Sequence, residues 1–473
     1  MIAVWSESGV QTRFLFSLSL LALTAGCAAG RDYAPPATLD LGVPDAYTRS
    51  AGEPVSEAQL ASWWTQFDEP ALDALIQKAI AANLDIAQGA ARLRQAREAL
   101  VQARAGYAPQ VSGSAGAGRN VSNNGRDTSS FSLGADAAWE VDLFGGIGRG
   151  VEAARADLQG SGYDLAAIRT AIIAEVTSNY IQTRLAQERL RIARDSLAIA
   201  DDNLEIAGWR VQAGLVSSLD QEQARASRAT TAASIPSIET SLAGALNRIA
   251  VLTGEAPGES TRALEQASPI PAAPTDIATG IPADTLRQRP DVRGAERTLA
   301  AATARIGVAQ AALYPSLRIT GNIGTSALSL GSLADTITGG LFAGLAQTIF
   351  DGGRLRSQVR SQQAATDAAL AAYKQTVLTG LEDVENALVA LDAAQARMEQ
   401  FAIALDASNN SAILARSQYR AGLTDFQTLL QTEQSLLSAR DGLASVQADR
   451  ALAVVQLYNA LGGGWQTMDG RPE

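Results

Sequence analysis

Pro109 and Pro315 stand 206 residues apart, and their surroundings match: "RAGYAPQVSGSAG" at 104–116 against "QAALYPSLRITGN" at 310–322. Phe144 in "DLFGG" and Phe350 in "TIFDGG" keep the same 206-residue spacing. Gly214 and Gly422 follow at 208, as do "VLTG" (251–254) and "NALG" (459–462). Chance likeness between Ala-rich helices would not hold prolines, glycines and aromatics in one order. The 473-residue chain therefore contains a two-fold repeat, and one half must fold like the other. The halves run over 59–254 and 283–465. A linker at 255–282 carries Pro257, Pro269, Pro271, Pro274 and Pro282, and a short tail covers 466–473.

Each half has the same order of elements. A helix at about 68–105, or 283–312, stops before a proline, because the residue preceding proline is pushed out of the helical region. A strand follows at 111–119 or 315–325, then a turn-rich segment, then a second strand at 131–143 or 337–350. The alternation in 337–350 is poor, so its register is open. A helical hairpin closes each half, at 150–254 and 355–462. Its first arm runs about 60 residues without proline, which is about 90 Å of helix.

The long arms carry a heptad seam. Leu190, Leu197, Leu204 and Val211 recur every seven residues, with Ala193, Ala200 and Ala207 three positions later. The second half repeats it with Met398, Leu405, Ala412 and Tyr419, and with Phe401, Ser408 and Ala415 at the second position. Small residues there imply closely packed helices, and Phe401 is the bulky exception. At the turns, Gly214 and Gly422 suit a helix end with positive φ. Ser217 and Asp425 suit the N-cap of the returning helix.

In 131–143, Phe131, Leu133, Trp139, Val141 and Leu143 sit at odd positions, while Asp136, Glu140 and Asp142 sit at even ones. A membrane-crossing strand needs about 9–11 residues, apolar toward lipid and polar toward the lumen. On that reading Asp136, Glu140, Asp142 and Arg318 line the wet side. A soluble sheet with one buried face would alternate in the same way. Four strands cannot close a lipid-facing barrel, since the smallest have about eight. Open edges are not tolerated in hydrocarbon. If these strands cross a membrane, several chains must share the barrel.

Composition narrows the chemistry. There is no histidine and one cysteine, so the commonest general base, the commonest metal ligand and any intrachain disulfide are missing. No catalytic or metal-binding constellation is expected. The net charge of −11, with no Lys/Arg block, argues against a nucleic-acid surface. "GGIGRG" (145–150) lacks the Walker lysine and reads as a strand-to-helix turn. Near the N-terminus, "FLFSLSLLAL" (14–23) is too short to span a bilayer and suits the core of a signal peptide over 1–26. "LTAGC" (23–27) resembles the lipobox of bacterial lipoproteins, which makes Cys27 the expected lipidation site. Residues 27–58, with four prolines, read as an extended tether.

Taken in order, "LTAGC", "WWTQFDEPALDALIQKAIAANLDI" (63–86), "WEVDLFG" (139–145), "RPDVRGAE" (289–296), "LYPSL" (313–317), "FDGGRLR" (350–356) and "YRAGLTDFQTLL" (419–430) resemble the TolC-type outer-membrane efflux family, in its NodT-like lipoprotein branch. The resemblance covers residues 27–465. It implies a mainly α protein with membrane β, in which a homotrimer gives four strands per chain to a twelve-stranded barrel. A long α-helical barrel continues it into the periplasm, with a belt built from the shorter helices. It implies a diacylglycerol and an N-acyl chain on Cys27, and no other cofactor. The expected partners are outer-membrane lipid, a periplasmic adaptor and an inner-membrane pump of the resistance-nodulation-division type. The adaptor would meet the tips at Gly214, Ser217, Asp220, Gly422 and Asp425. Relatives often carry an acidic gate at the position of Gln431, which is uncharged here, so Glu433 and Asp425 become the nearby candidates. Rival readings are the duct of a type I secretion system and a lipid-anchored periplasmic scaffold without a pore.

Overall fold

The computed structural model describes residues 29–37, 41–48, 57–121, 125, 127–258, 264–274 and 288–466. The expected signal peptide (1–26), Cys27 and positions 467–473 lie outside the described residues. In chain order the helices are α1 (Glu57–Ala61), α2 (Pro70–Ala82), α3 (Leu84–Ala105), α4 (Gly146–Gln212), α5 (Ser218–Leu252), α6 (Pro290–Ala311), α7 (Arg354–Arg420) and α8 (Phe426–Ala460). The strands are β1 (Gln110–Asn120), β2 (Thr128–Val141), β3 (Ser316–Ala327) and β4 (Thr338–Ala346).

The repeat is exact in the hairpins. Helices α4 and α7 have 67 residues each, and α5 and α8 have 35 each. A 67-residue helix is about 100 Å long. Both hairpin helices of the second half start 208 residues after their mates, whereas β3 starts 206 after β1. The two additional residues fall between β3 and β4, because Ser112 pairs with Asp136 while its mate Arg318 pairs with Gly344, 208 residues after Asp136. One left-handed glycine, Gly145, turns the chain in the first half, and two, Gly352 and Gly353, turn it in the second.

The first helix of the repeat differs from expectation. Instead of one helix over 68–105 there are two, and the chain breaks at Asn83, whose backbone is extended. Its Oδ1 accepts hydrogen bonds from the amides of Asp85 (2.8 Å) and Ile86 (3.1 Å), which caps α3. Its side-chain amide donates to the carbonyl of Leu252, the last residue of α5 (2.9 Å). The repeat mate of Asn83 is Arg289, which donates to the carbonyl of Ala460, the last residue of α8 (2.9 Å). Both halves thus tie off the end of the return helix from the same position with different side chains. No glycine or proline marks the break at 83, so helical periodicity alone runs through it.

The chain divides into two compact units, and the cut runs across the repeats rather than between them. The first unit, Met1–Pro36 with Arg92–Gly162 and Gly294–Lys374, holds the sheet. The second, Ala37–Ala91 with Tyr163–Arg293 and Gln375–Glu473, is helical. Its core centres on Trp63, 1 % exposed, stacked on Tyr458 at 5.3 Å. Gly463 makes room for that indole, because a Cβ there would lie 2.7 Å from Trp63. Arg289 is buried in the same unit, bonded to Asp291 and Asp383 (2.7 and 3.1 Å), which explains the "RPD" of the sequence. Burial is the strongest single influence and lowers its pKa, but the hydrogen bonds and charges of Asp291 and Asp383 together outweigh it and hold the guanidinium above its usual value. The heptad seam is real: every seam position named above is buried or half-buried.

The N-terminal segment is more than a tether. In the first unit, the amide of Ala29 donates to the carbonyl of Phe144 (2.9 Å). Arg149, 7 % exposed, donates to the Ala29 carbonyl (3.0 Å) and to Asp32 (2.8 Å), and bonds Glu152 (2.6 Å). In the second unit Leu41 and Tyr47 are buried, and the Thr48 amide donates to Glu385 (2.7 Å). These bonds and buried side chains fix the described parts of the segment, giving its exposed backbone groups partners elsewhere in the chain.

Candidate pore wall and tunnel tip

The four strands form one antiparallel meander in the order β1-β2-β3-β4. The register pairs Ala137 with Val111 and Gly321, Trp139 with Ile319, and Val141 with Leu317; Gly321 and Leu317 pair with Leu341 and Leu345. Every odd-numbered strand residue thus shares one face, and Leu133, Ile323, Leu341 and Leu345 stand more than half exposed on it. The even-numbered residues make the other face, which carries Asp136, Glu140 and Arg318. Glu140 lies directly opposite Arg318, whereas Asp136 lies between Ser112 and Asn322, both uncharged. The alternation read from the sequence is therefore a true two-faced sheet. The outer strands β1 and β4 each have only one neighbour, and β1 is exposed along its whole length.

Asp142 departs from the expectation that it belongs with the other two carboxylates. Strand β2 ends at Val141. The Asp142 carboxylate instead accepts hydrogen bonds from the amides of Ile147 (3.1 Å) and Gly148 (2.8 Å), in the first turn of α4. Free amides at a helix start attract a carboxylate more strongly than an empty strand position does. The second half does the same with Asp351, which accepts from Gly353 and Leu355, both at 2.8 Å. The Leu355 hydrogen bond, with that of Gly353, holds the Asp351 carboxyl below its usual pKa. An Asp shortly before Gly-Gly and a long helix is a capping signal the sequence does carry. The second strand of the second half is also shorter than expected, ending at Ala346, so Ile349 and Phe350 lie beyond it, almost fully exposed. Trp139 lies near the strand end, where its indole N–H donates to the carbonyl of Tyr107 (3.0 Å).

At the far end of the hairpins the two turns are built alike. Gly214 and Gly422 have φ of 68° and 76°. The amides of Gly214 and Leu215 donate to the carbonyls of Val211 and Arg210, and those of Gly422 and Leu423 to Tyr419 and Gln418. That pair of bonds is the glycine-terminated helix stop expected of these positions. Ser217 accepts from the Leu219 amide (3.2 Å) and Asp425 from the Thr428 amide (2.7 Å), so both are N-caps. Asp220 lies in the first turn of α5. Leu215 and Leu423, repeat mates, project into solvent at 68 % and 79 % exposure. Behind the turns, Ala207, Ala224, Tyr419, Phe426 and Leu429 form a small buried core. Arg210 stacks on the Tyr419 ring at 4.5 Å and donates to its carbonyl (2.8 Å).

Of the two gate candidates, Gln431 is exposed. Glu433 is engaged in a two-pronged ion pair with Arg416 on α7, one prong being Nη2 to Oε2 at 2.7 Å. That hydrogen-bonded carboxylate raises the Arg416 pKa. Glu433 therefore joins the two arms of the second hairpin. No helix among the described residues is long and apolar enough to cross a membrane.

The profile of the outer membrane efflux protein family matches residues 75–255 and 281–463, both halves of the repeat. The chain belongs to that family. Members of it are outer-membrane efflux channels, and transport across the outer membrane is the activity of this one. The chain is 31 % identical over 469 residues to the pyoverdine export outer membrane protein OpmQ of Pseudomonas aeruginosa, covering 95 % of this chain and 98 % of that one. It is 30 % identical over 454 residues to nodulation protein T of Rhizobium leguminosarum bv. trifolii, covering 94 % and 96 %. Among solved structures, the outer-membrane channel OprN superposes with a TM-score of 0.84 at 34 % identity, covering 93 % of this chain and all of that one. The efflux-channel fold read from the repeat thus holds along nearly the whole chain.

Proposed function

We propose that three copies of this chain close one twelve-stranded barrel in the outer membrane and continue it as a helical tunnel into the periplasm. The observation that carries this is the four-stranded sheet, the one sheet among the described residues, with two free edges and an uncovered apolar face. In hydrocarbon such edges must be paired, and in water such a face must be covered. Joining β1 of one copy to β4 of the next satisfies both. The odd-numbered residues then meet lipid, and Asp136, Glu140 and Arg318 meet the aqueous lumen. Asp142, as a helix cap, stands at the mouth of that lumen rather than in its wall.

The conduit is passive, with small molecules as cargo. Its driving force comes from an inner-membrane pump of the resistance-nodulation-division type, reached through a periplasmic adaptor that seats on the tips. Exposed Leu215 and Leu423 beside rigid glycine turns suit that contact. Lipid chains on Cys27 anchor each copy, since each buried methylene adds about 0.8 kcal/mol. The fixed course of residues 29–33 just after that cysteine supports a defined anchor point.

Native mass spectrometry of the detergent-solubilised protein tests the assembly, and a trimer with bound acyl chains is expected. A monomer without conductance in planar bilayers overturns it in favour of a pore-free scaffold. Deletion should raise susceptibility to some members of a panel of dyes, detergents, antibiotics and metals. A Cys27→Ser protein that still yields an acylated signal-peptidase II product overturns the lipid assignment.

A further inference from the structure

The polar face of the sheet carries one large apolar side chain, Phe342 on β4. The register sets it opposite Thr320 and on the same face as Arg318, Asn322 and Asp136. It is 64 % exposed, so packing within this chain does not account for it. The strand makes room for its ring: Gly340 and Gly344 precede and follow it on the same face, and a Cβ at 340 would lie 2.7 Å from the ring. By strand register its counterpart in the first half is Gly134, which lies opposite Ser114 as Phe342 lies opposite Thr320. One half of the chain therefore leaves bare backbone where the other puts a phenyl ring.

Phe342 and Asp136 lie two strands apart and two residues out of step, so roughly 12 Å separates their backbones. The charges around them are already sorted. Arg318, the nearest cation on this face, has Glu140 directly opposite, while Asp136 has only Ser112 and Asn322. An aromatic face and an unmatched carboxylate at this separation suit one chemistry. It is an organic cation with a broad apolar body, whose charge is attracted by both the ring and the carboxylate.

We propose that Phe342 and Asp136 form a lumenal contact site for lipophilic organic cations leaving the channel. This rests on the shared-barrel reading, which turns the even-numbered face inward. Three copies would place three such pairs around the lumen, a low-affinity contact that a passing solute leaves readily.

The test uses the full lipidated protein in planar bilayers, with tetraphenylphosphonium added on the strand side. Voltage-dependent block of the wild type is expected. Phe342→Ala and Asp136→Asn should each weaken it about fivefold, the loss that about 1 kcal/mol of cation–π or charge attraction gives. Phe342→Leu keeps the bulk of the side chain and should also lose block, whereas Phe342→Tyr should retain it. Tetraphenylborate, the same shape with opposite charge, should not block. Wild-type block in Phe342→Ala and Phe342→Leu, or equal block by tetraphenylborate, overturns the site and leaves the conduit standing. A wild-type protein with no conductance overturns the shared barrel and the site with it.

Discussion

Phe401 on α7 lies against the bare backbone of Gly442 on α8; a Cβ at 442 would overlap the phenyl ring. Phe401 is the bulky member of a seam otherwise filled by small residues, and Gly442 is the hole that takes it. Their repeat mates are Ala193 and Ser234, so the first half divides the same space differently. Overpacking a helix contact costs about 1–3 kcal/mol. Gly442→Ala should lower the thermal stability of the purified protein accordingly, and Phe401→Ala in the same chain should restore most of the loss. Equal melting of wild type and Gly442→Ala would show that the ring simply swings aside.

Asn83 and Arg289 hold the ends of the two return helices. Asn83→Ala removes an N-cap and leaves the Leu252 carbonyl without its partner. A cap alone is worth about 1 kcal/mol. The expected outcome is faster amide exchange in the first turn of α3 and the last turn of α5, with α8 unchanged. Exchange that rises uniformly through the helical unit would contradict a local role.

Arg149 fixes the N-terminal segment through Asp32 and two backbone carbonyls. Arg149→Ala should free residues 29–33 while leaving the sheet in place. Trypsin should then cleave after Arg31 at least about ten times faster, as expected when charge-assisted hydrogen bonds worth about 1.5–3 kcal/mol are lost. Unchanged cleavage would place the hold elsewhere, on Tyr33 and its bond to Glu296.

Asp425 caps α8, and the hydrogen bond from the Thr428 amide, with that from its side chain, lowers the carboxyl pKa below 3.8. A depressed carboxyl contributes stability that is present above the unfolded value and lost as pH falls through the folded one. Asp425→Ala should therefore loosen the second tip at neutral pH, and the difference from wild type should shrink as pH drops below about 4. Hydrogen exchange of residues 426–430, corrected for intrinsic rates, reads this directly. A difference that persists undiminished at pH 2 would mean the cap acts without its charge.

Arg416 and Glu433 join the arms of the second hairpin. A partly buried pair of this kind is worth about 1–2 kcal/mol, between exposed and buried limits. A double-mutant cycle with Arg416→Met and Glu433→Gln, read as thermal stability, should show coupling of that size. Additive effects would leave Glu433 available as a gate charge.

The sequence by itself determined the repeat, the two-faced strands, the long hairpins and their glycine tips. Each is written in local signals that need no distant partner: a period of two, a heptad, a cap, a positive-φ glycine. The break at Asn83 carries no glycine or proline; its Oδ1 caps α3 locally, and its side-chain amide reaches the Leu252 carbonyl 169 residues away. Tertiary structure likewise decided two of the carboxylates. Asp142 and Asp425 stand where local capping signals put them, but nothing local marks the roles of Asp136 and Glu433. A carboxylate's neighbours fix its role: the helix amides that Asp142 and Asp425 bind lie within six residues, whereas Asn322 beside Asp136 belongs to the other half and Arg416 beside Glu433 to the facing arm of the hairpin.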